Sequence, residues 1–145
     1  MVGMEVAGVI ERVERIAGVR AAAAADAAMV QSGLVAVREA RAWLDAQHAG
    51  LVAQLAAVSS FPEAAVAEAD RTSVGAAAKP TERSETLAST PRVAGSLADG
   101  AVTAGHVDAV TRGSRQLDAD RRRELFDRVE SMVAVAEAAT VEQFA

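Results

Sequence analysis

The chain contains no cysteine, no tyrosine and no asparagine. The missing cysteine excludes disulfides, thiolate chemistry and cysteine-ligated metals. Only four aromatic residues occur, Trp43, Phe61, Phe126 and Phe144, so the core must be built from Leu, Val and Ala with closely spaced helices. No segment alternates β-branched or aromatic residues with polar ones, which excludes an ordinary sheet. The longest uncharged stretch, 46–62, carries Gln47, His48, Gln54, Ser59 and Ser60, so no membrane span is expected. Residues 2–10 lack a basic-then-apolar leader. A cytoplasmic location is the default, with no membrane partner. The bases are fourteen Arg and a single Lys, Lys79, against twenty acids, for a net charge of −5. That balance repels nucleic acid at long range. With so much alanine, the Arg preference matches a GC-rich genome, so an Arg run carries little functional weight.

Alanine is what the chain has in abundance: 36 of 145 residues. It is the best helix former. The expectation is all-α, a single helical domain over 1–145 of about seven helices with one long central helix. Val6, Val9, Ile10, Val13 and Ile16 stripe a first helix near 4–17, with Gly18 as its stop. An Ala-rich stretch to Val30 either continues into the next helix or breaks at Ser32–Gly33. The prolines punctuate later helix starts: Ser60–Pro62–Glu63 as a capping box, Pro80–Thr81, and Thr90–Pro91. These predict helices at 62–69, 81–89 and 91–99, with 70–79 the most loop-like piece. A further helix follows Thr103 to about Gly113, and another spans 116–136. Thr140 with Gln143 opens a last capping box before the chain stops.

The long helix, 34–58, carries a seam. Val37, Arg41, Leu44, His48, Leu51, Leu55 and Val58 are spaced alternately four and three apart, the 3.5-residue period of a coiled coil or an antiparallel helix pair. Leu34 and Val52 widen the stripe, and two seam positions, Arg41 and His48, are polar. Either they reach past a partly buried seam to water, or they set register at a helix–helix or homodimer contact.

Residues 96–110, "SLADGAVTAGHVDAV", bring two short helices together at Gly100, with Thr103 starting the second and His106 just inside it. A packing corner with an internally bonded histidine is favoured over a metal site, because Asp108 at i+2 does not share the face of His106. It is also favoured over a DNA-reading helix-turn-helix, since Asp108 would oppose phosphate. If a basic patch exists, its members are Arg112 and Arg115 from one helix and Arg122 and Arg123 from the next. The consecutive Arg121–Arg123 fan around their helix and are interleaved with Asp118, Asp120, Glu124 and Asp127.

Residues 40–55, 71–110 and 117–145 resemble an actinobacterial domain of unknown function that precedes HNH endonuclease domains, the thirteen-E-twelve repeat family. The most specific stretch is Ala98–Val110, A-D-G-x-V-[ST]-x-x-H-V-D-x-[VL]. The resemblance covers roughly 34–145; residues 1–33 are an undiagnostic N-terminal helical region. It implies a noncatalytic helical domain of an HNH-type endonuclease that positions DNA or the catalytic domain, sometimes in mobile elements. It assigns no catalytic residue here. An HNH site needs more histidines than His48 and His106, and the chain has no asparagine. On this reading the chain is the front of a longer protein, with no cofactor or small-molecule substrate of its own and DNA as partner through the parent. The alternative is a structural or oligomerising module without a DNA role.

Overall fold

The computed structural model describes residues 4–145. These form nine helices and no strand: α1 Val6–Ala21, α2 Ala27–Val58, α3 Pro62–Asp70, α4 Val74–Ser89, α5 Pro91–Ala98, α6 Ala104–Ser114, α7 Ala119–Ser131, α8 Val133–Ala138 and α9 Val141–Phe144. The all-α class and the long helix are as expected. The count exceeds seven partly because Met132 leaves helical geometry (φ −113°, ψ 18°) and divides α7 from α8.

The spine is α2, which packs on α1, α3, α4 and α5. Its first turn is held by Asp26, whose carboxylate accepts from the Met29 N–H at 2.8 Å. That cap sets the break at 22–26. Gly18 therefore lies inside α1, and Ser32–Gly33 lies inside α2. Of the two alternatives for the Ala-rich stretch, continuation into the next helix holds from Ala27 onward, and no break occurs at Ser32–Gly33. Gly33 faces Val19 of α1, where an added Cβ would sit in ordinary contact at 3.6 Å.

The buried positions of α2 are mostly small: Gly33 against Val19 of α1, Ala36, Ala40, Ala42 and Ala49, the last two in the main core, and Val52 in a smaller one. Alanine lets neighbouring backbones approach, and a chain with few aromatics fills its core that way. The larger core joins Ala42 and Ala49 to Leu87, Val93, Leu97, Val102, Val107 and Val110 and to Val129 and Val133. A smaller one joins Val52 and Leu55 to Val66, Ala67 and Ala77 of α3 and α4.

Three expected caps are replaced. Phe61, not Ser60, precedes α3, and the Ser60–Glu63 box does not form; Ser59 Oγ accepts from Phe61 N–H instead. Pro80 stands inside α4, which starts at Val74 under a Ser73 cap, so 70–79 is mostly helix. The proline deletes one helical donor, and the carbonyl it leaves free belongs to exposed Ala76, where water can take it. Thr81 lies within the helix and donates to Ala77 O. Thr90 turns its hydroxyl back to Thr86 O, so α5 is capped from a distance: Glu130 accepts from the Arg92 and Val93 N–H groups at 2.9 and 3.0 Å. Glu137 on α8 adds a bond to Ser96 Oγ. The Thr140–Gln143 box forms as anticipated.

Candidate functional site

Four features could carry function, and their geometry separates them.

The Gly100 corner is one. Gly100 has φ +78°, and a Cβ there would fall 2.9–3.0 Å from Cβ and Cα of Glu39 on α2. The α5–α6 turn therefore rests directly on the α2 backbone. His106 is 6 % exposed. Its Nδ1 accepts from the Thr103 backbone N–H at 3.1 Å and lies 2.9 Å from Thr103 Oγ1, and its Nε2 is 2.9 Å from Ala139 O. A carbonyl only accepts, so Nε2 carries the proton. Both ring nitrogens are committed, and the ring packs against Phe144 at 5.7 Å. The imidazole pins the start of α6 to the α8–α9 connection and offers no lone pair to a ligand. Replacing it with alanine leaves the Thr103 N–H and Ala139 carbonyl without these partners and opens a gap; a thermal melt should show about 2 kcal/mol lost.

The second feature is a charged cluster between α4 and α6. Arg83 grips buried Asp108 with two bonds, 2.8 and 2.9 Å, and Lys79 Nζ stands 3.3 Å from the same carboxylate. Burial pushes the Asp108 carboxyl up, but the Arg83 hydrogen bonds and charge, helped by Lys79, more than reverse this and hold it below the usual carboxylate range. Asp45 on α2 goes the other way: burial raises it, only partly countered by the positive charges of Arg83, His48 and Arg41. This cluster was not apparent in the sequence. Lys79 and Arg83 are one helical turn apart, but reading Pro80 as a helix start places them on different elements. The cluster is internally neutralised and presents no unpaired nucleophile.

The third feature is the basic row. Arg112 and Arg115 share one shallow depression with Lys79, Glu82 and Asp108. Arg115 and Arg122 share the next, about 380 Å³, with Glu82, Glu85 and Phe126. Arg122 and Arg123 share a third with Asp127. The four arginines are thus neighbours along the α6–α7 corner. Three of the four are engaged: Arg115 binds Glu82 at 2.6 Å, Arg123 lies 3.9 Å from Asp120, and Arg122 donates to the Ser114 and Leu117 carbonyls at the end of α6.

The fourth feature is the α2 seam, most of which turns away from the core, with Leu55 joining the smaller one. Leu34, Leu44, Leu51 and Val58 are 65, 58, 64 and 84 % exposed. Arg41 is exposed, and half-buried His48 reaches Asp70 at the end of α3 at 2.8 Å. Beside the first half of the seam lies α1, which buries no residue and makes its substantial contacts with α2 alone. It is held by Arg12–Glu39 and by Trp43 Nε1–H donating to Met4 O. Val6, Ile10 and Val13 stay more than half exposed. With Arg12 facing Glu39 and Val19 facing Gly33, the 100° turn per residue of two antiparallel helices puts this stripe and the seam on the same side of the hairpin.

Among the described residues no three His, Asp or Glu side chains are grouped to hold a metal ion. No described helix is long and apolar enough to cross a membrane. Searches against protein-family models, curated proteins and solved structures match nothing to this chain.

Proposed function

We propose that the chain is a noncatalytic helical module that works by presenting the apolar face of its α1–α2 hairpin to another protein surface. The observation that supports this is that face: Val6, Ile10 and Val13 beside Leu34, Leu44 and Leu51, all exposed on a helix pair whose outer member packs on nothing else of substance. Contiguous apolar patches beyond a few hundred Å² are uncommon on monomers and mark interaction sites. The remaining candidates are internally satisfied: His106 by Thr103 and Ala139, Asp108 by Arg83 and Lys79.

A second reading, a DNA-positioning domain of an HNH-type endonuclease, draws on the resemblance of Ala98–Val110 and on the continuity of the Arg112–Arg115–Arg122–Arg123 row. Acids interleave that row, which weakens counterion release. A labelled-duplex titration decides between them. The module reading expects affinity no better than ~100 μM at physiological salt, and no plasmid nicking with Mg²⁺, Mn²⁺, Ni²⁺ or Zn²⁺. Submicromolar binding lost on replacing all four arginines with alanine would replace it with the DNA-positioning reading. Nicking abolished by His48→Ala or His106→Ala would reveal a catalytic site.

A further inference from the structure

We infer that the surface docked on the α1–α2 face is a second copy of the same face, with the two α2 helices antiparallel and a two-fold axis between Ala42 and Trp43. This rests on reading that face as a docking surface and names its occupant.

The heptad supplies the first argument. The seam repeats at a 3.5-residue period from Val30 to Val58, the spacing of a helix–helix contact. Within the chain α3 partly covers His48 and Leu55, whereas Leu34, Leu44, Leu51 and Val58 stay more than half exposed along that length. A second α2 carries the same period and length.

Charge selects orientation. Side-by-side parallel helices would stack Arg41 on Arg41, a like-charge layer in a closing interface, and polar His48 on His48. Antiparallel pairing removes both stacks. Setting Leu34 of one copy on Leu51 of the other gives the layers Val30–Leu55, Leu34–Leu51, Val37–His48 and Arg41–Leu44, each made twice. The polar residues then face aliphatic ones near the centre, where their heads can reach the edge.

The hairpin geometry closes the arrangement. Each α1 lies along 27–43 of its own α2, from Val19 beside Gly33 to Met4 beside Trp43. The two-fold axis carries it over the 42–58 half of the other α2, to the side of exposed Leu51 and Val58. The exposed Val, Ile and Leu side chains of the two stripes hold on the order of 100 Å² each, which brings the face near the ~800 Å² per partner that specific interfaces bury.

The absence of cysteine makes the test direct. Light scattering at about 50 μM should give twice the chain mass, falling to the monomer on dilution. Leu44→Asp with Leu51→Asp, both at exposed positions, should weaken association at least 100-fold with unchanged helicity. Mixed Leu34→Cys and Leu51→Cys proteins should be joined by a short bismaleimide. Leu34→Cys alone should not be, since the register holds its two copies ~25 Å apart at 1.5 Å per residue. Efficient Leu34→Cys self-linking would overturn the antiparallel arrangement. A wild-type monomer at 100 μM would overturn the second copy as occupant. If that monomer binds an apolar dye that the double aspartate variant does not, the docking face survives with a different partner; if it binds none, that reading falls as well.

Discussion

Breaking the Asp108–Arg83 pair is expected to cost the most stability of any single polar change in the chain. Asp108→Asn should lose about 3 kcal/mol at neutral pH, because it leaves the Arg83 guanidinium, itself only 15 % exposed, without its charge partner. The pH dependence distinguishes this from a packing defect. Asp108 is held below the usual carboxylate range in the folded chain. A group depressed on folding contributes stability that is present above its unfolded value, ~3.9, and is lost as pH falls through the folded value. The difference between wild type and Asp108→Asn should therefore be constant from pH 7 down to about 5 and shrink below about 4. Asp45, raised by burial, titrates with the opposite sign and is shared by both proteins, so the comparison removes most of its effect. Thermal melts across that range read the outcome. A difference that stays flat to pH 2.5 would mean that charge is not what Asp108 contributes.

Gly100→Ala carries the second large effect, again about 3 kcal/mol. Two costs add. The left-handed backbone at φ +78° disfavours any residue with a Cβ by roughly 1 kcal/mol or more. The new carbon also meets Glu39 Cα and Cβ at 2.9–3.0 Å, and the Cα belongs to the spine helix and cannot swing aside. Gly18→Ala provides the contrast. Its position is helical and open, with nothing within 4 Å of the added carbon, so it should gain about 0.5–1 kcal/mol. Chemical denaturation of the two variants should move the midpoint in opposite directions. A Gly100→Ala midpoint within error of wild type would mean the α5–α6 turn can lift from α2 without penalty.

The architecture was legible wherever one local rule acted alone. Composition shows helices, the 3.5-residue period shows α2, and the Thr140–Gln143 box forms where the spacing places it. Legibility failed where a distant residue took over a local job. Thr90 has the chemistry of a cap, but Glu130, 37 residues away from Val93, caps α5 instead. Pro80 has the chemistry of a boundary, but Ser73 and the small residues after it start the helix earlier. The seam was plain in sequence; the side it faces was not, because Ala36, Ala40, Ala42 and Ala49 bury as well as leucines do when helices approach closely. At the corner, the glycine and histidine stand out in sequence, whereas the Ala139 carbonyl that fixes the imidazole carries no side-chain signal at all.

That α1 buries no residue and leans on α2 alone has a consequence for how the molecule opens. Detaching it breaks the Arg12–Glu39 bridge and the Trp43–Met4 bond but leaves both cores untouched. The native state should therefore coexist with a partly open form in which residues 4–25 swing free while α3–α8 hold, a cooperative unit of its own at the low end of the stability scale. Hydrogen exchange would register it as α1 amides losing protection at low denaturant, well before those of α5 and α6. A protease should nick first in 22–26, releasing the helix from an otherwise folded body. Seen this way, α1 is a clasp, and whatever closes over it sets how often the molecule is found shut.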